Sequence, residues 1–457
     1  MNEESTVETG PFLSGVIEGF YGRPWTLEQR SVLFQRMASW RLNTYLYGPK
    51  DDLHHRASWR RLYSSEDLAV LRESVVQCQA NGIRFVYAIG PGLDITYSSE
   101  EDLEALRQRL KQLREIGVAD FALLFDDIPD SMLECDRAQF GSFAAAQARI
   151  CNTLYADFVQ EIPEAVFLVC PTPYCSRMDQ EGLGGENYLD DLGASLHPSI
   201  YLFWTGPGII SREISEGHLA ALKRRLKRAP LIWDNYHAND YDLRRLYTGP
   251  IDGRPAKATE HLTGIMINPN CEFEANFVPV YTLGRYVNLG DAYSANQAFA
   301  EGLTLWQSEF ETVGEAWSRD ELTLFASIYY LPFSMGDSAS SMMEDIKVLI
   351  QREPTDWGDA EGRFHFWRAR IQSISVKLTE LKHRELFYTF NRQWWEIREE
   401  FELLARFIEH KKVNGGRTVL ARSPEHLCGT YRGGTIHQLQ SLLSMNEDGQ
   451  FFESNHE

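Results

Sequence analysis

The sequence is short of positive charge. Its 457 residues include 45 lysines and arginines against 65 aspartates and glutamates, which gives a formal net charge of -20. A protein with this excess of negative charge repels nucleic acids and anionic lipid surfaces. The composition therefore argues against a nucleic-acid partner and favours neutral or cationic ligands.

Long hydrophobic runs are also missing. No stretch approaches the roughly 18 apolar residues that a membrane span requires. The first ten residues, MNEESTVETG, are acidic and polar, whereas a secretory signal has a basic start and an apolar centre. We therefore expect no membrane association and a cytoplasmic protein.

Cysteine motifs and common catalytic motifs are absent as well. The seven cysteines are scattered and form no CxxC pair, so neither a disulfide framework nor a zinc site is indicated. The chain contains no Walker loop, no GxSxG elbow and no HExxH helix, which argues against an NTPase, a serine hydrolase and a zinc protease. We expect neither a metal ion nor a cofactor.

What the sequence does contain, from residue 12 to about 290, is an alternation of short apolar runs with segments of helical period. Such alternation is typical of repeated βα units. The eight strand-like runs are LSGVIEG near 13, NTYLYG near 43, RFVYAIG near 84, FALLFDD near 121, VFLVCP near 166, IYLFWTG near 200, PLIWDN near 230 and GIMINPN near 264. Eight units in under 300 residues predict an α/β fold, a closed (β/α)8 TIM-like barrel.

After about residue 300 the pattern is helical alone. The aromatic-rich segment 361–412 is too apolar to stand alone in water, so it must pack against other helices or a second copy of the chain. We predict a flexible N-terminus at 1–11, the barrel at 12–295, an all-α helical bundle at 296–445 and a flexible tail at 446–457.

Polar residues gather where the predicted strands end. They include Glu18, Gly19, Lys50, Asp51, Asp52, Asp94, Asp126, Asp127, Tyr174, Asp234, Asn235, Asp240, Asn268 and Asn270. A single Asp after a strand is usually a helix cap or a turn residue. Active sites of (β/α)8 barrels lie at the carboxyl ends of the strands, so the convergence of all eight ends predicts a site there.

The adjacent carboxylates Asp126 and Asp127 are the strongest candidates for chemistry. Neighbouring side chains of a strand point to opposite faces, so both face one site only if the strand ends and the backbone turns there. Two close carboxyl groups do not both ionise freely, which leaves one protonated and the other anionic near neutral pH. A solvated acidic turn is the alternative interpretation.

Aromatic and amide side chains accompany this pair at the strand ends. Trp204, Trp233 and Tyr174 offer rings for the apolar faces of a sugar, and Asn235 and Asn270 offer amides for its hydroxyls. Each aromatic residue alone is more often part of a core. Together with the carboxylate pair they indicate glycoside hydrolysis.

Seven segments of the sequence resemble glycoside hydrolase family 84, and in particular its animal-type members. They are GVIEGFYGRPW (15–25), NTYLYGPKDD (43–52), YAIGPGLDITYS (87–98), FALLFDDI (121–128), WTGP (204–207), IWDNYHANDYD (232–242) and NPNCEFEAN (268–276). YYLPF at 329–333 and YRGG at 431–434 are similar to the helical stalk domain of those members.

The resemblance implies a retaining β-N-acetylglucosaminidase that removes O-linked N-acetylglucosamine from Ser and Thr of proteins. In the family, the 2-acetamido oxygen of the substrate attacks the anomeric carbon and forms an oxazoline, so no enzyme nucleophile is needed. The matching positions imply that Asp126 orients the acetamido group, while Asp127 protonates the leaving oxygen and later deprotonates water.

The resemblance also implies the residues of the sugar pocket. Gly19 and Lys50 would hold one hydroxyl, and the other contacts to hydroxyls and acetamide would come from Asn235, Asp240 and Asn270. The residues around the acetyl methyl would be Cys170, Tyr174, Thr205 and Trp233, with Cys170 as a packing residue.

Two further expectations concern partners and alternatives. The stalk resemblance and the apolar helices after residue 300 predict a homodimer through the helical domain, with O-GlcNAc-modified proteins or peptides as substrates. The alternatives are a β-N-acetylhexosaminidase or hyaluronidase-like enzyme for free glycans, and a catalytically dead sugar-binding protein. The intact Asp126, Asp127 and Lys50 argue against a dead site.

Overall fold

Eight parallel strands close into a barrel in sequence order in the computed structural model, which describes residues 10–414, 420–421 and 433–454. The strands are β1 (Leu13–Glu18), β2 (Thr44–Tyr47), β3 (Arg84–Ile89), β4 (Asp120–Leu124), β5 (Phe167–Cys170), β6 (Tyr201–Trp204), β7 (Leu231–Asp234) and β8 (Gly264–Ile267). The predicted (β/α)8 barrel is confirmed, and each strand lies within the run predicted for it except β4, which begins one residue earlier, at Asp120.

Helices follow the barrel strands, and further helices occupy most of the described chain after the barrel. They are α1 (Leu27–Ser39), α2 (Ser65–Ala80), α3 (Glu100–Arg114), α4 (Glu134–Phe140), α5 (Phe143–Phe158), α6 (Ser176–Gln180), α7 (Tyr188–Ser195), α8 (Glu216–Leu226), α9 (Ala258–His261), α10 (Phe277–Leu289), α11 (Ala295–Trp306), α12 (Arg319–Ile328), α13 (Asp337–Gln351), α14 (Ala360–Thr379), α15 (Arg384–Asn414) and α16 (Gly434–Gln440).

The barrel strands are buried on both faces, because their side chains alternate between two apolar clusters. Ile17 of β1 belongs to a cluster inside the barrel together with Leu46 and Leu168. Its neighbour Val16 belongs to the cluster between the strands and the surrounding helices. This double burial explains why the strands appear in the sequence as nearly continuous apolar runs.

Several helices begin at the Ser or Thr that the sequence offers for this purpose. The side chain of Thr26 accepts a hydrogen bond from the backbone N–H of Gln29 at the start of α1, and Gln29 returns one to Thr26. Ser99 caps α3 in the same way through the N–H of Asp102. Such caps satisfy backbone groups that have no partner inside the helix.

The chain separates into two compact units. Within the described residues the first unit runs to Tyr241 and adds Ile251–Phe273 and Val280–Ala298, and it contains the whole barrel. The second unit comprises Asp242–Pro250, Glu274–Pro279 and the chain from Phe299 onward. Both units therefore contain segments that are not continuous in sequence.

The second unit is held together by a cluster of aromatic rings. Phe325 of α12 lies 4.8 Å from Phe390 and 5.3 Å from Trp394, both on α15, measured between ring centroids. Its ring also lies 5.5 Å from that of Trp317. Phe390 and Trp394 of segment 361–412 thus pack against a neighbouring helix, as the apolar character of the segment predicts.

The structure differs from the sequence-based expectations in the last part of the chain. Segment 361–412 forms two helices, α14 and α15. The region expected to be helical alone also contains a three-stranded sheet of β9 (Leu420–Ala421), β10 (Leu443–Met445) and β11 (Gln450–Glu453). The last strand, β11, lies within residues 446–457, which were predicted to form a flexible tail. This segment is a strand because it pairs with β9 and β10 in antiparallel register. Residues 431–432 of the YRGG motif and residues 1–9 lie outside the described residues.

Candidate active site

The carboxylate pair lies just beyond the carboxyl end of β4. The strand ends at Leu124, and the backbone N–H of Phe125 still donates to the carbonyl of Cys170 on β5. Two residues later Asp127 adopts a left-handed conformation with φ of 49°, which L-residues adopt at a cost in energy. Because the backbone turns at this point, the two successive side chains reach the same site.

Both carboxylates line a cavity of about 590 Å³. Of the catalytic and sugar-binding residues that the family resemblance implies, all except Asn270 line it, namely Gly19, Lys50, Asp126, Asp127, Cys170, Tyr174, Thr205, Trp233, Asn235 and Asp240. These residues follow different barrel strands, and the closed barrel brings them to one end. A cavity of this size accommodates a small ligand such as a single sugar residue.

Two residues expected at the site lie elsewhere. Asn270 is fully buried and does not line the cavity, whereas Asn268 from the same NPN segment does. Trp204 is buried in the cluster outside the barrel, and its indole Nε1 donates to Nε2 of His218 at 2.9 Å. Trp204 is therefore a core residue and not a sugar platform, because its place in β6 turns it toward the helices.

Other cavity residues were not singled out from the sequence. They are Tyr21, Arg177, Phe203, Gly208, Ile209, Ile210, Ala238 and Tyr241. Tyr21 stands in the segment GVIEGFYGRPW, and Ala238 and Tyr241 stand in IWDNYHANDYD, so the family-like segments contained a signal for these three. Phe203 lies on β6 and Arg177 on α6, whereas Gly208, Ile209 and Ile210 lie between β6 and α8.

Asp126 is held in the ionised form by two cations. Its Oδ2 accepts a hydrogen bond from Nζ of Lys50 at 3.1 Å and lies 3.6 Å from Nη1 of Arg56. Burial by itself would raise the pKa of Asp126, but the charges of Lys50 and Arg56 outweigh burial and lower that pKa below its ordinary value. The group is therefore an anion at neutral pH.

Asp127 is shifted in the opposite direction. Burial raises the pKa of Asp127, and the negative charge of Asp126 raises it further, against the opposing effect of Arg56. Its side chain is 47% exposed, compared with 15% for Asp126. The pair thus combines a shielded carboxylate with an accessible group that binds a proton more readily, which is the arrangement that general acid catalysis uses.

The wall opposite the pair is a network of amides around an indole. Nε1 of Trp233 donates to Oδ1 of Asn235 at 2.9 Å, and Nδ2 of Asn268 donates to the same oxygen at 3.0 Å. The remaining amide group of Asn235 donates to the carbonyl of Ile209 at 3.0 Å. These bonds set the orientation of Asn235 and of the indole before any ligand is bound.

Cys170 and Tyr174 remain neutral in the cavity. Burial raises the pKa of the Cys170 thiol well above its ordinary value, and the charge of Asp126 adds to this effect. Burial likewise raises the pKa of the Tyr174 phenol. A protonated, buried thiol is a packing group and a poor nucleophile.

Three strand-end carboxylates have structural partners instead. Glu18 is fully buried and accepts hydrogen bonds from Arg30, from the hydroxyl of Tyr45 and from the backbone N–H of Trp25. Asp234 forms an ion pair with Arg254 at 2.7 Å, and Asp94 forms one with Arg60 at 2.6 Å.

Within the described part of the chain, the side chains close enough to share a metal ion are Glu361, His365 and Glu409. They lie on α14 and α15 in the second unit, and Lys412 already forms an ion pair with Glu361. None of the described helices combines the length and apolar character needed to cross a membrane.

The barrel carries two adjacent carboxyl groups at the carboxyl ends of its strands, one with a lowered pKa and one with a raised pKa. This arrangement is typical of a glycoside hydrolase. The family model described as beta-N-acetylglucosaminidase matches residues 14–325. The chain belongs to this beta-N-acetylglucosaminidase family, and the resemblance to glycoside hydrolase family 84 is confirmed.

Individual proteins are similar to the chain as well. Protein O-GlcNAcase from Rattus norvegicus and that from Mus musculus are each 47% identical over 275 residues, which is 60% of this chain and 30% of theirs. The chain thus spans about 30% of the length of these relatives. A solved structure of a mutant O-GlcNAc hydrolase from Thermobaculum terrenum superposes with a TM-score of 0.73 at 29% identity, covering 88% of this chain and 82% of that one.

Proposed function

We propose that this glycoside hydrolase removes N-acetylglucosamine that is β-linked to Ser and Thr of proteins. The observation that carries the proposal is the opposite pKa shift of Asp126 and Asp127 at the edge of one sugar-sized cavity. The substrate class is supported by the similarity to the two mammalian protein O-GlcNAcases and to the bacterial O-GlcNAc hydrolase.

The proposed mechanism is substrate-assisted. The ionised Asp126 accepts a hydrogen bond from the acetamido N–H, which makes the acetamido oxygen a better nucleophile toward the anomeric carbon. As that C–O bond forms, the glycosidic bond breaks, and Asp127 gives its proton to the departing Ser or Thr oxygen. Asp127 then takes a proton from a water molecule that attacks the anomeric carbon of the oxazoline, and the bond from that carbon to the acetamido oxygen breaks, which restores the acetamido group. Two inversions at the anomeric carbon give net retention.

The other cavity residues bind the sugar in this proposal. Lys50 and the backbone carbonyl of Gly19 hold one hydroxyl, and Asn235 and Asp240 hold others. Asp240 also accepts the backbone N–H of Tyr21 at 3.0 Å, which ties the loops after β1 and β7 together.

The acetyl methyl is surrounded by the apolar surfaces of Cys170, Tyr174, Thr205 and Trp233. The hydroxyl of Thr205 donates to the carbonyl of Gly208 at 2.8 Å. The methyl group of Thr205 is then available for packing.

The test compares three substrates with the purified chain: an O-GlcNAc-modified peptide, an aryl N-acetyl-β-glucosaminide and hyaluronan. We expect hydrolysis of the first two and none of the third. Activity on hyaluronan alone would favour the hyaluronidase-like alternative. Binding of N-acetylglucosamine without hydrolysis of any substrate would favour the dead sugar-binding protein.

The assembly is a second part of the proposal. We propose a homodimer through the helical unit, because α15 exposes large apolar side chains on one face: Tyr388 is 63% and Trp395 is 41% exposed, and they stand seven residues apart. Seven residues are two helical turns, so both lie on the same stripe.

Light scattering at micromolar concentration tests the dimer. We expect twice the chain mass of 52.5 kDa, and we expect Trp395→Lys to reduce it to the monomer while Val70→Lys, on the exposed side of α2, leaves it unchanged. A stable monomer for the unmodified chain contradicts the proposal.

The described cysteines are all free thiols. This supports the prediction of a reducing compartment such as the cytoplasm.

A further inference from the structure

One guanidinium group contacts the backbone of both aspartates. Nη2 of Arg56 donates to the carbonyl oxygen of Asp126 at 3.3 Å and to that of Asp127 at 3.2 Å. Arg56 does not line the cavity, and its side chain is 9% exposed. It therefore contacts the pair from a buried position outside the lining of the cavity.

The other arm of the same guanidinium reaches the functional groups. Nη1 of Arg56 donates to the hydroxyl of Tyr21 at 3.1 Å. It also lies 3.6 Å from Oδ2 of Asp126 and 3.9 Å from Oδ2 of Asp127. A single side chain thus touches the backbone of the turn, both carboxyl groups and a tyrosine of the cavity wall.

The contacts fall where the backbone needs support. Asp127 has the left-handed conformation, which is less favourable than an extended one for a residue with a Cβ, although aspartate adopts it more readily than most. If the backbone relaxed to an extended conformation, successive side chains would again point to opposite faces. The two carbonyls that Arg56 binds belong to the two peptide units whose orientation defines this turn.

Arg56 is itself held in place by its neighbour. The backbone N–H of Gly90 donates to the carbonyl of His55 at 2.8 Å. Burial lowers the pKa of His55 to about 3, so its ring is neutral, and Nδ1 donates to the carbonyl of Ala88 at 2.7 Å. Both partners belong to the end of β3, which connects the loop of Arg56 to the rigid barrel.

We propose that Arg56 is the positioning residue of the carboxylate pair: its forked guanidinium fixes the left-handed turn at Asp127 so that both carboxyl groups face one sugar. The inference rests on the proposed function for the roles of the two aspartates. A lysine does not replace the fork, because its single ammonium group does not bind two carbonyls and a hydroxyl in one plane.

The charged groups around Asp126 and Asp127 determine the pKa values that a pH profile of the enzyme reports. Asp126 faces Lys50, Arg56 and His55, and Asp127 faces Asp126, Arg56, Lys50 and Tyr21. Arg56 lowers the pKa of both carboxyl groups. Its removal therefore raises both values, whereas a lysine at this position keeps the charge.

The experiment compares Arg56→Gln, Arg56→Lys and the unmodified enzyme on an aryl N-acetyl-β-glucosaminide with a poor leaving group, whose cleavage needs the proton of Asp127. We expect both variants to lose about 10²-fold in kcat with little change in KM, which is the scale of a misplaced catalytic group. In Arg56→Gln both limbs of the pH profile of kcat/KM move to higher pH, and in Arg56→Lys they stay. Arg84→Gln is the matched control, because this variant removes an arginine and its ion pair with Asp120 at the opposite end of the barrel.

Crystal structures of the two variants provide a readout that does not depend on activity. We expect residue 127 to leave the left-handed region in Arg56→Gln. Three results would overturn the proposal. They are an unchanged turn at residue 127, an unchanged kcat, and a loss of kcat that the Arg84→Gln control also shows while both limbs of the pH profile of Arg56→Gln stay in place. An inactive unmodified enzyme would instead contradict the proposed function, and the crystal structures would still decide the role of Arg56.

Discussion

Nζ of Lys50 donates a hydrogen bond to Oδ2 of Asp126 at 3.1 Å, although the two residues are 76 positions apart in sequence. The contact connects the segments that follow β2 and β4. The side chain of Lys50 is 5% exposed, so water screens the interaction only weakly. The contact explains how a buried carboxylate stays ionised beside a second carboxylate. It also gives Lys50 an electrostatic task in addition to its proposed contact with the sugar.

Replacing Lys50 by Met should shift the acid limb of the pH profile to higher pH. Because the ammonium charge lowers the pKa of Asp126, its loss raises that pKa, and Asp126 stays protonated and inactive up to a higher pH. The measurement is kcat/KM against pH with an aryl N-acetyl-β-glucosaminide. Lys257→Met, which removes a half-exposed partner of Glu260, should leave the profile unchanged. An acid limb that does not move contradicts this role of Lys50.

Replacing Asp127 by Asn should slow substrates with poor leaving groups far more than activated aryl glycosides, because a good leaving group scarcely needs a proton. General acid catalysis contributes about 10²–10⁴-fold, which sets the expected difference. The check is a series of aryl glycosides with leaving groups of graded pKa. Asp130→Asn, three residues away on the exposed loop, is the control. Equal losses across the series would remove Asp127 from the acid role.

Replacing Asp126 by Asn should slow all substrates whatever their leaving group, since the acetamido attack comes first in each case. A companion measurement uses substrates with trifluoroacetamido groups and the unmodified enzyme. The electron-poor acyl oxygen is a weaker nucleophile, so we expect a lower kcat. A rate that does not depend on the acyl group argues against the oxazoline route.

Replacing Gly19 by Ala should raise KM while the fold stays intact. A Cβ atom at residue 19 would lie 2.8 Å from Cζ2 of Trp233 and 2.9 Å from Cγ2 of Ile17, so the indole has to move. Such overpacking costs about 1–3 kcal/mol, which corresponds to about fivefold to 150-fold in KM if binding bears the cost. Gly217→Ala, with open space around the new methyl group, is the control, and equal KM values for the two variants would contradict the prediction.

Replacing Glu18 by Gln should destabilise the barrel without a direct effect on chemistry. Arg30 would lose its buried partner at 2.7 Å, and breaking a buried ion pair costs about 3–5 kcal/mol. The midpoint of urea unfolding measures the effect. Glu104→Gln removes a partly exposed partner of Arg107 at 3.8 Å and should cost less than about 1 kcal/mol. Similar midpoints for the two variants would show that the Glu18–Arg30 pair contributes little.

The sequence by itself determined the eight strands, the barrel and most of the cavity. Apolar runs and helical periods depend on neighbouring residues, so β1 to β8 were readable from local pattern, and polar residues after the strands marked the end that carries the site. The adjacency of Asp126 and Asp127 indicated that one carboxyl group is charged and the other protonated.

Only the tertiary structure decided which strand-end residues reach the cavity. Trp204 and Trp233 both stand near the ends of strands, yet one points outward to His218 and the other inward to Asn235. Likewise Asn268 lines the cavity and Asn270 does not. The direction of a side chain at the end of a strand depends on how the following loop leaves it, and that course depends on contacts distant in sequence.

Only the structure gives the physical reason why Asp127, and not Asp126, carries the proton, an assignment that the sequence offered through the family resemblance alone. Asp126 is ionised because Lys50 and Arg56, 76 and 70 residues away in sequence, meet it at the mouth of the barrel. Asp127 reaches the same cavity because its backbone is left-handed. Electrostatic interactions depend on distance and burial in three dimensions, so the identities of the residues state which charges exist, and the fold determines which of them meet.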